Sequence, residues 1–128
     1  THGSVLIPAI QKHGFGIYAP GDVDDTITVF TCNGNRYPAG VKIVELELTC
    51  NDSVGTYALQ FEEWTGRQNR SRAAYIDTLT KVNDSSWTNS IAFTDADLAA
   101  WNSIRVIVPS TAKDEIYVQI WYYVKEND

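Results

Sequence analysis

Residues 116–124, IYVQIWYYV, decide how the chain is read. Ile116, Val118, Ile120, Tyr122 and Val124 fall on one face of an extended strand, and Tyr117, Gln119, Trp121 and Tyr123 on the other. Every residue but Gln119 is β-branched or aromatic, the types that suit a pleated, half-buried surface. One face is aliphatic enough for a core. The other carries aromatics whose polar tips need water or a hydrogen-bond partner. A strand of this kind is not stable alone, so a sheet must exist for it to join, and it is expected as a central strand of a β-sandwich.

Working outward, residues 26–32 (TITVFTC) and 41–50 (VKIVELELTC) read as strands separated by the turn-rich NGNRYPAG. In the second, Val44, Leu46, Leu48 and Cys50 share the inward phase, whereas Val41 and Ile43 are out of step, which predicts a bulge near Ile43 and Val44. Residues 56–65 place Tyr57, Leu59 and Phe61 inward and Gln60, Glu62 and Trp64 outward. Residues 73–79 form a weaker strand, 83–86 a turn, 90–93 a short strand and 104–108 a strand stopped by Pro109. Thr94 followed by Asp95 and Asp97 resembles a helix start and predicts one short helical turn near 95–101. The sum is about eight strands with turn signals at sandwich or barrel spacing. Residues 1–25, broken by Pro8, Gly14, Gly16, Pro20 and Gly21, are expected as an irregular N-terminal arm. A single β-sandwich domain is expected over 26–128.

Composition narrows the function classes. The chain has 128 residues, is 44% hydrophobic and carries a net charge of −6, which suits one folded domain and disfavours nucleic-acid binding. No apolar run approaches the ~20 residues needed to span a bilayer, so no membrane partner is expected. The chain begins at Thr1 and contains no Met, which leaves open a processed start and a secreted location. Cys32 and Cys50 are expected at opposite ends of a hairpin, about 30 Å apart along the strand, and so as buried free thiols suited to a reducing compartment.

The order of pieces carries a resemblance. Ala39-Gly40-Val41-Lys42-Ile43 leads into a long strand, and a second long strand ends in Glu62-Glu63-Trp64. Phe93-Thr94-Asp95-Ala96-Asp97-Leu98 then precedes IRVIV, and DEIYVQIWYY closes the chain. Over residues 26–124 this layout resembles small jelly-roll structural proteins of tailed bacteriophages and environmental viruses. The resemblance implies an all-β, antiparallel jelly-roll-like sandwich with a virion role as a decoration, head-fibre or tail-associated protein. It also implies assembly in the host cytoplasm, contacts with other virion proteins and a homo-oligomer, most often a trimer. No functional residue carries over, because no catalytic or binding motif defines the group.

Candidate chemistry is sparse. His2 and His13 both fall in the expected arm, which supplies no rigid base. Glu45, Glu47 and Glu62 occupy solvent-facing phases, and only Glu63 falls inward, at an expected bulge or strand end. No enzyme and no cofactor are therefore expected. Asp22, Asp24 and Asp25 form a weak calcium candidate, with Asn51 and Asp52 a second acidic turn, but acids in turns commonly cap their own backbone. The binding candidates are Trp64, Arg67, Arg70, Arg72, Trp87, Tyr117, Trp121 and Tyr123. Aromatics with arginines are the compositional signal of a protein interface. The same rings can stack on sugars, and guanidiniums suit acidic groups on a polymer. A protein-contact role is the leading expectation, with a carbohydrate-binding or lectin-like module as the alternative.

Overall fold

The computed structural model describes residues 9–18, 25–51, 54–66, 71–112 and 115–126. Nine strands follow in order: β1 (Gln11–Tyr18), β2 (Asp25–Thr31), β3 (Val41–Cys50), β4 (Tyr57–Thr65), β5 (Ser71–Lys81), β6 (Trp87–Ser90), β7 (Asp97–Leu98), β8 (Ser103–Val108) and β9 (Glu115–Val124). All pairings are antiparallel. One sheet runs β1-β9-β3-β6, with β7 also on β3, and the other runs β2-β8-β4-β5.

The pairs nest. β4 pairs with β5, β3 with β6, β2 with β8 and β1 with β9, as in one long antiparallel hairpin. The further contacts of β3 with β9 and of β4 with β8 roll that hairpin into two sheets. This is the jelly-roll arrangement, with the two-residue β7 as an addition.

Alternation along β9 builds the core. Ile116, Val118 and Ile120 are buried together with Tyr122, whose ring meets Phe30 of the opposite sheet at a centroid distance of 5.0 Å. Leu46 and Leu48 of β3, Leu59 and Phe61 of β4, and Ile104 and Val106 of β8 complete the interior. The bulge expected in β3 is present. Its register with β9 slips between Ile43 and Glu45, so that Val41 and Ile43 are buried on one side of the slip and Leu46, Leu48 and Cys50 on the other. The extra residue, Val44, is half-buried.

Three elements differ from the sequence reading. Residues 11–18 of the expected arm form β1, because alternation there also serves the sandwich. Phe15 and Ile17 pack inward, His13 meets Phe30 edge-on at 5.3 Å, and Gly14 and Gly16 stand on the outer side. The helical turn expected near 95–101 is absent. Asp95 Oδ1 accepts the Asp97 N–H at 3.1 Å, a local turn, and Leu98 is drawn into the core while Asp97 and Leu98 pair with Lys42 and Val41. The acids thus cap a turn, not a helix. The short strand expected at 90–93 lies earlier, at Trp87–Ser90, where it completes the edge of the sheet against β3.

Gly40 positions the start of β3. Its φ is +84°, a conformation that suits glycine, and a Cβ there would fall well inside contact distance of the Leu98 carbonyl oxygen. Cys32 and Cys50 are buried and not joined in a disulfide. Among the described residues no helix is long and apolar enough to cross a membrane.

Candidate functional site

The jelly-roll topology divides the candidate binding residues between two opposite surfaces. Trp87, Tyr117, Trp121 and Tyr123 lie on the outer face of the five-stranded sheet, whereas Trp64 and Arg72 belong to the four-stranded sheet. Arg67 and Arg70 lie outside the described residues, as do Asp22, Asp24 and Asp52 of the calcium candidates. Asp25 begins β2, and Asn51 Oδ1 accepts the Glu115 N–H at 3.0 Å, which ties the end of β3 to the start of β9. Among the described residues no three His, Cys, Asp or Glu side chains gather where a metal ion could sit.

On the four-stranded sheet the aromatic is committed. Trp64 Nε1 donates to Glu62 Oε1 at 3.1 Å, and the Arg105 guanidinium lies 4.9 Å over its ring. Glu62, expected to face water, is only 2% exposed. It also accepts from Gln60 Nε2 at 2.8 Å and from Arg72 Nη1 at 2.9 Å. Its phase is outward as expected, opposite Arg105 of β8, and these three partners cover it on the outer side of the sheet. Glu63 turns to the inner side, level with the buried Ile104, so the two neighbouring acids do not converge.

The outer face of the five-stranded sheet is different in kind. Pairing places Trp87, Thr49, Tyr117 and Gly16 in one line across four strands. The next line holds Asn89, Glu47, Gln119 and Gly14, and the one after it Glu45, Trp121 and Lys12. Trp87 and Tyr117 remain 49% and 46% exposed, although the strands beneath them are fixed by the core. Trp87 Nε1 donates to Glu47 Oε2 at 2.7 Å, which sets the indole plane, and Asn89 Nδ2 donates to Glu45 Oε2 at 3.2 Å.

Gly14 explains the pose of Tyr117. The tyrosine ring leans diagonally over this glycine, and a Cβ there would occupy the space of the hydroxyl. Lys12 lies 5.2 Å over Trp121, whose buried Nε1 has no acceptor; the neighbouring Gln119 Oε1 is likewise buried without a donor. At the end of β1, β9 and β3 the face opens into an apolar groove of about 530 Å³, bordered by Gly16, Tyr18, Thr49, Asn51, Glu115 and Tyr117.

Sequence reasoning found the four aromatics of this face but missed Lys12, Gly14, Gly16 and Asn89, and treated Glu45 and Glu47 as merely solvated. The signal for Glu45 and Glu47 was their shared outward phase. What they oppose is set by strand pairing across the chain, which local pattern does not carry.

No family model matches the chain, and no curated protein matches it. Among solved structures, the crystal structure of PirA is similar at a TM-score of 0.47 and 7% identity, over 94% of this chain and 99% of that one. A likeness at that level leaves the function to be read from the chain's own residues.

Proposed function

We propose that the chain is a non-enzymatic assembly protein that associates with further copies of itself through the outer face of the five-stranded sheet. The observation that carries this reading is the pair Trp87 and Tyr117, half-exposed on either side of Thr49 above strands that the core holds rigid. Large aromatics on a preorganised surface are the usual anchors of protein contacts, because little side-chain freedom is lost when they are covered. Lys12 near one margin and Glu45 and Glu47 towards the other give the face opposite charges for pairing with a second copy. The layout resemblance to phage structural jelly rolls supports a virion setting, with other virion proteins as further partners. The fold by itself does not, since capsid and lectin domains share it.

Glycan binding is the second reading, and one observation favours it. The Trp87 plane is fixed by Glu47, as a sugar-stacking platform requires, with Thr49 and Asn89 beside it as hydrogen-bonding groups. Sedimentation of the protein at micromolar concentration, with and without Trp87→Ala, separates the two. Self-association lost in the variant supports assembly. A monomer retained on a polysaccharide column, with retention abolished by the same substitution, replaces it with the glycan reading.

A further inference from the structure

The outer face of the five-stranded sheet carries large and small residues in a definite order. Across β6, β3, β9 and β1 the first line reads Trp87, Thr49, Tyr117, Gly16, and the second Asn89, Glu47, Gln119, Gly14. In the third, Glu45, Trp121 and Lys12 stand on β3, β9 and β1. Trp87 is the raised end of the first line, 49% exposed. Gly16 is its hollow end, where a Cβ would meet nothing within 4 Å among the described residues. The hollow continues into the apolar groove that Gly16, Tyr18 and Tyr117 border.

We propose, resting on the self-association reading above, that two copies pair about a two-fold axis parallel to the strands and midway between β3 and β9, each laying its Trp87 over the other's Gly16. Neighbouring strands lie about 4.8 Å apart, so this midline is equidistant from β3 and β9 and from β6 and β1. The rotation keeps height along the strands and exchanges β6 with β1, and β3 with β9, of the second copy. Each line therefore meets its own reverse. In the first, Trp87 comes down over Gly16, against the leaning ring of Tyr117, and Tyr117 stands opposite the small Thr49. In the second, Glu47 meets the Gln119 amide, and Asn89 meets Gly14 with the Tyr117 hydroxyl that leans over it. Two sheets stacked with nearly aligned strands are an ordinary packing, about 10 Å apart.

Charge matches in the same pose. Lys12 lies 5.2 Å over the Trp121 ring, and the rotation sets Glu45 of the second copy opposite that ring. A cation and an acid thus face each other twice, once from each copy, in a chain whose net charge of −6 would otherwise hold copies apart. An axis along the lines would instead set Trp87 on Trp87 and Tyr117 on Tyr117, and would leave the hollow at Gly16 unfilled. The pair is isologous and closed, so it is a dimer and not the trimer implied by the layout resemblance.

Sedimentation equilibrium of the wild type, Gly16→Leu, Trp87→Ala and an equimolar mixture of these two variants tests the pairing. Gly16→Leu fills the hollow and Trp87→Ala removes what covers it, so each should weaken self-association at least about tenfold. In the mixture, Trp87 of the Gly16→Leu chain still meets Gly16 of the Trp87→Ala chain, and at the second contact the added leucine faces the truncated position. The mixture should therefore associate more tightly than either variant alone. A wild type that stays monomeric at micromolar concentration overturns the self-association reading and this pairing with it. Wild-type association that is lost in Thr49→Arg yet unchanged in Gly16→Leu leaves that reading standing and overturns the pairing. So does a trimer, or a mixture no tighter than its components. If Gly16→Leu does not fold, the charges decide. Lys12→Glu and Glu45→Lys should each weaken association and the double variant should restore it; a double variant as weak as either single one overturns the pairing.

Discussion

Gly40 closes the turn before β3 with φ of +84° and lies against the backbone of Leu98 and Ala99, so Gly40→Ala tests two distinct constraints at one position. The left-handed conformation costs a residue with a Cβ about 1–2 kcal/mol. The added methyl also overlaps the Leu98 carbonyl oxygen and would stand 3.3 Å from Ala99 Cα. Backbone cannot swing aside as a side chain can, so β7 must move and partly withdraw Leu98, which is wholly buried. Losing part of a leucine's burial adds about 1–2 kcal/mol. The total is about 2–4 kcal/mol, or a fall in Tm of about 8–16 °C for a domain of this size.

Two other glycines separate the contributions. Gly55 has φ of +92° with nothing near its missing Cβ, so Gly55→Ala carries the conformational cost alone. Gly16 has neither constraint, and Gly16→Ala should stay within about 0.5 kcal/mol of the wild type. Thermal and urea unfolding followed by circular dichroism should rank the losses Gly40→Ala, then Gly55→Ala, then Gly16→Ala. A Gly40→Ala protein no less stable than Gly55→Ala would refute the close approach of the turn to β7.

Two further outcomes follow from the four-stranded sheet and the thiols. Glu62→Ala leaves Gln60, Trp64 and Arg72 without their shared acceptor and should cost about 3 kcal/mol in urea unfolding. Arg72→Ala should cost about 1 kcal/mol or less, because the Arg72 side chain is 54% exposed; equal losses would contradict the buried, three-donor geometry. Cys32 and Cys50 should resist a thiol reagent in the native state and both react after denaturation; fast native labelling would show that the strand ends are open.

Local pattern carried much of the fold because burial in a two-layer sheet imposes a period of two. Ile116, Val118, Ile120 and Tyr122 are buried as their alternation requires, and so are Tyr57, Leu59 and Phe61. Even the β3 bulge was legible, from the phase change between Ile43 and Leu46. β1 was not, because Gly14 and Gly16 read as chain breakers when they stand on the outer side of a strand, one of them beneath Tyr117. Residues 95–101 were misread because the acids of a helix start and of a local turn look alike until a neighbouring strand such as β3 competes for the backbone. Grouping Trp64 with Trp121 failed for a different reason. Which sheet a strand joins is decided by partners far along the chain, and those partners put the two indoles on opposite sides of the sandwich. Glu63 faces inward as its phase requires, whereas Glu62 keeps its outward phase but is covered there by Gln60, Trp64 and Arg72, partners that local pattern does not assign.

The central claim is that the molecule works through the outer face of the five-stranded sheet. A long cation placed at its centre tests this most directly: Thr49→Arg, between Trp87 and Tyr117, against the control Thr80→Arg on the exposed side of β5. Sedimentation velocity at micromolar concentration should find the wild type and Thr80→Arg associated to the same extent and Thr49→Arg monomeric, with unfolding curves nearly unchanged. Association that survives Thr49→Arg, or that is lost in Thr80→Arg instead, would contradict the account.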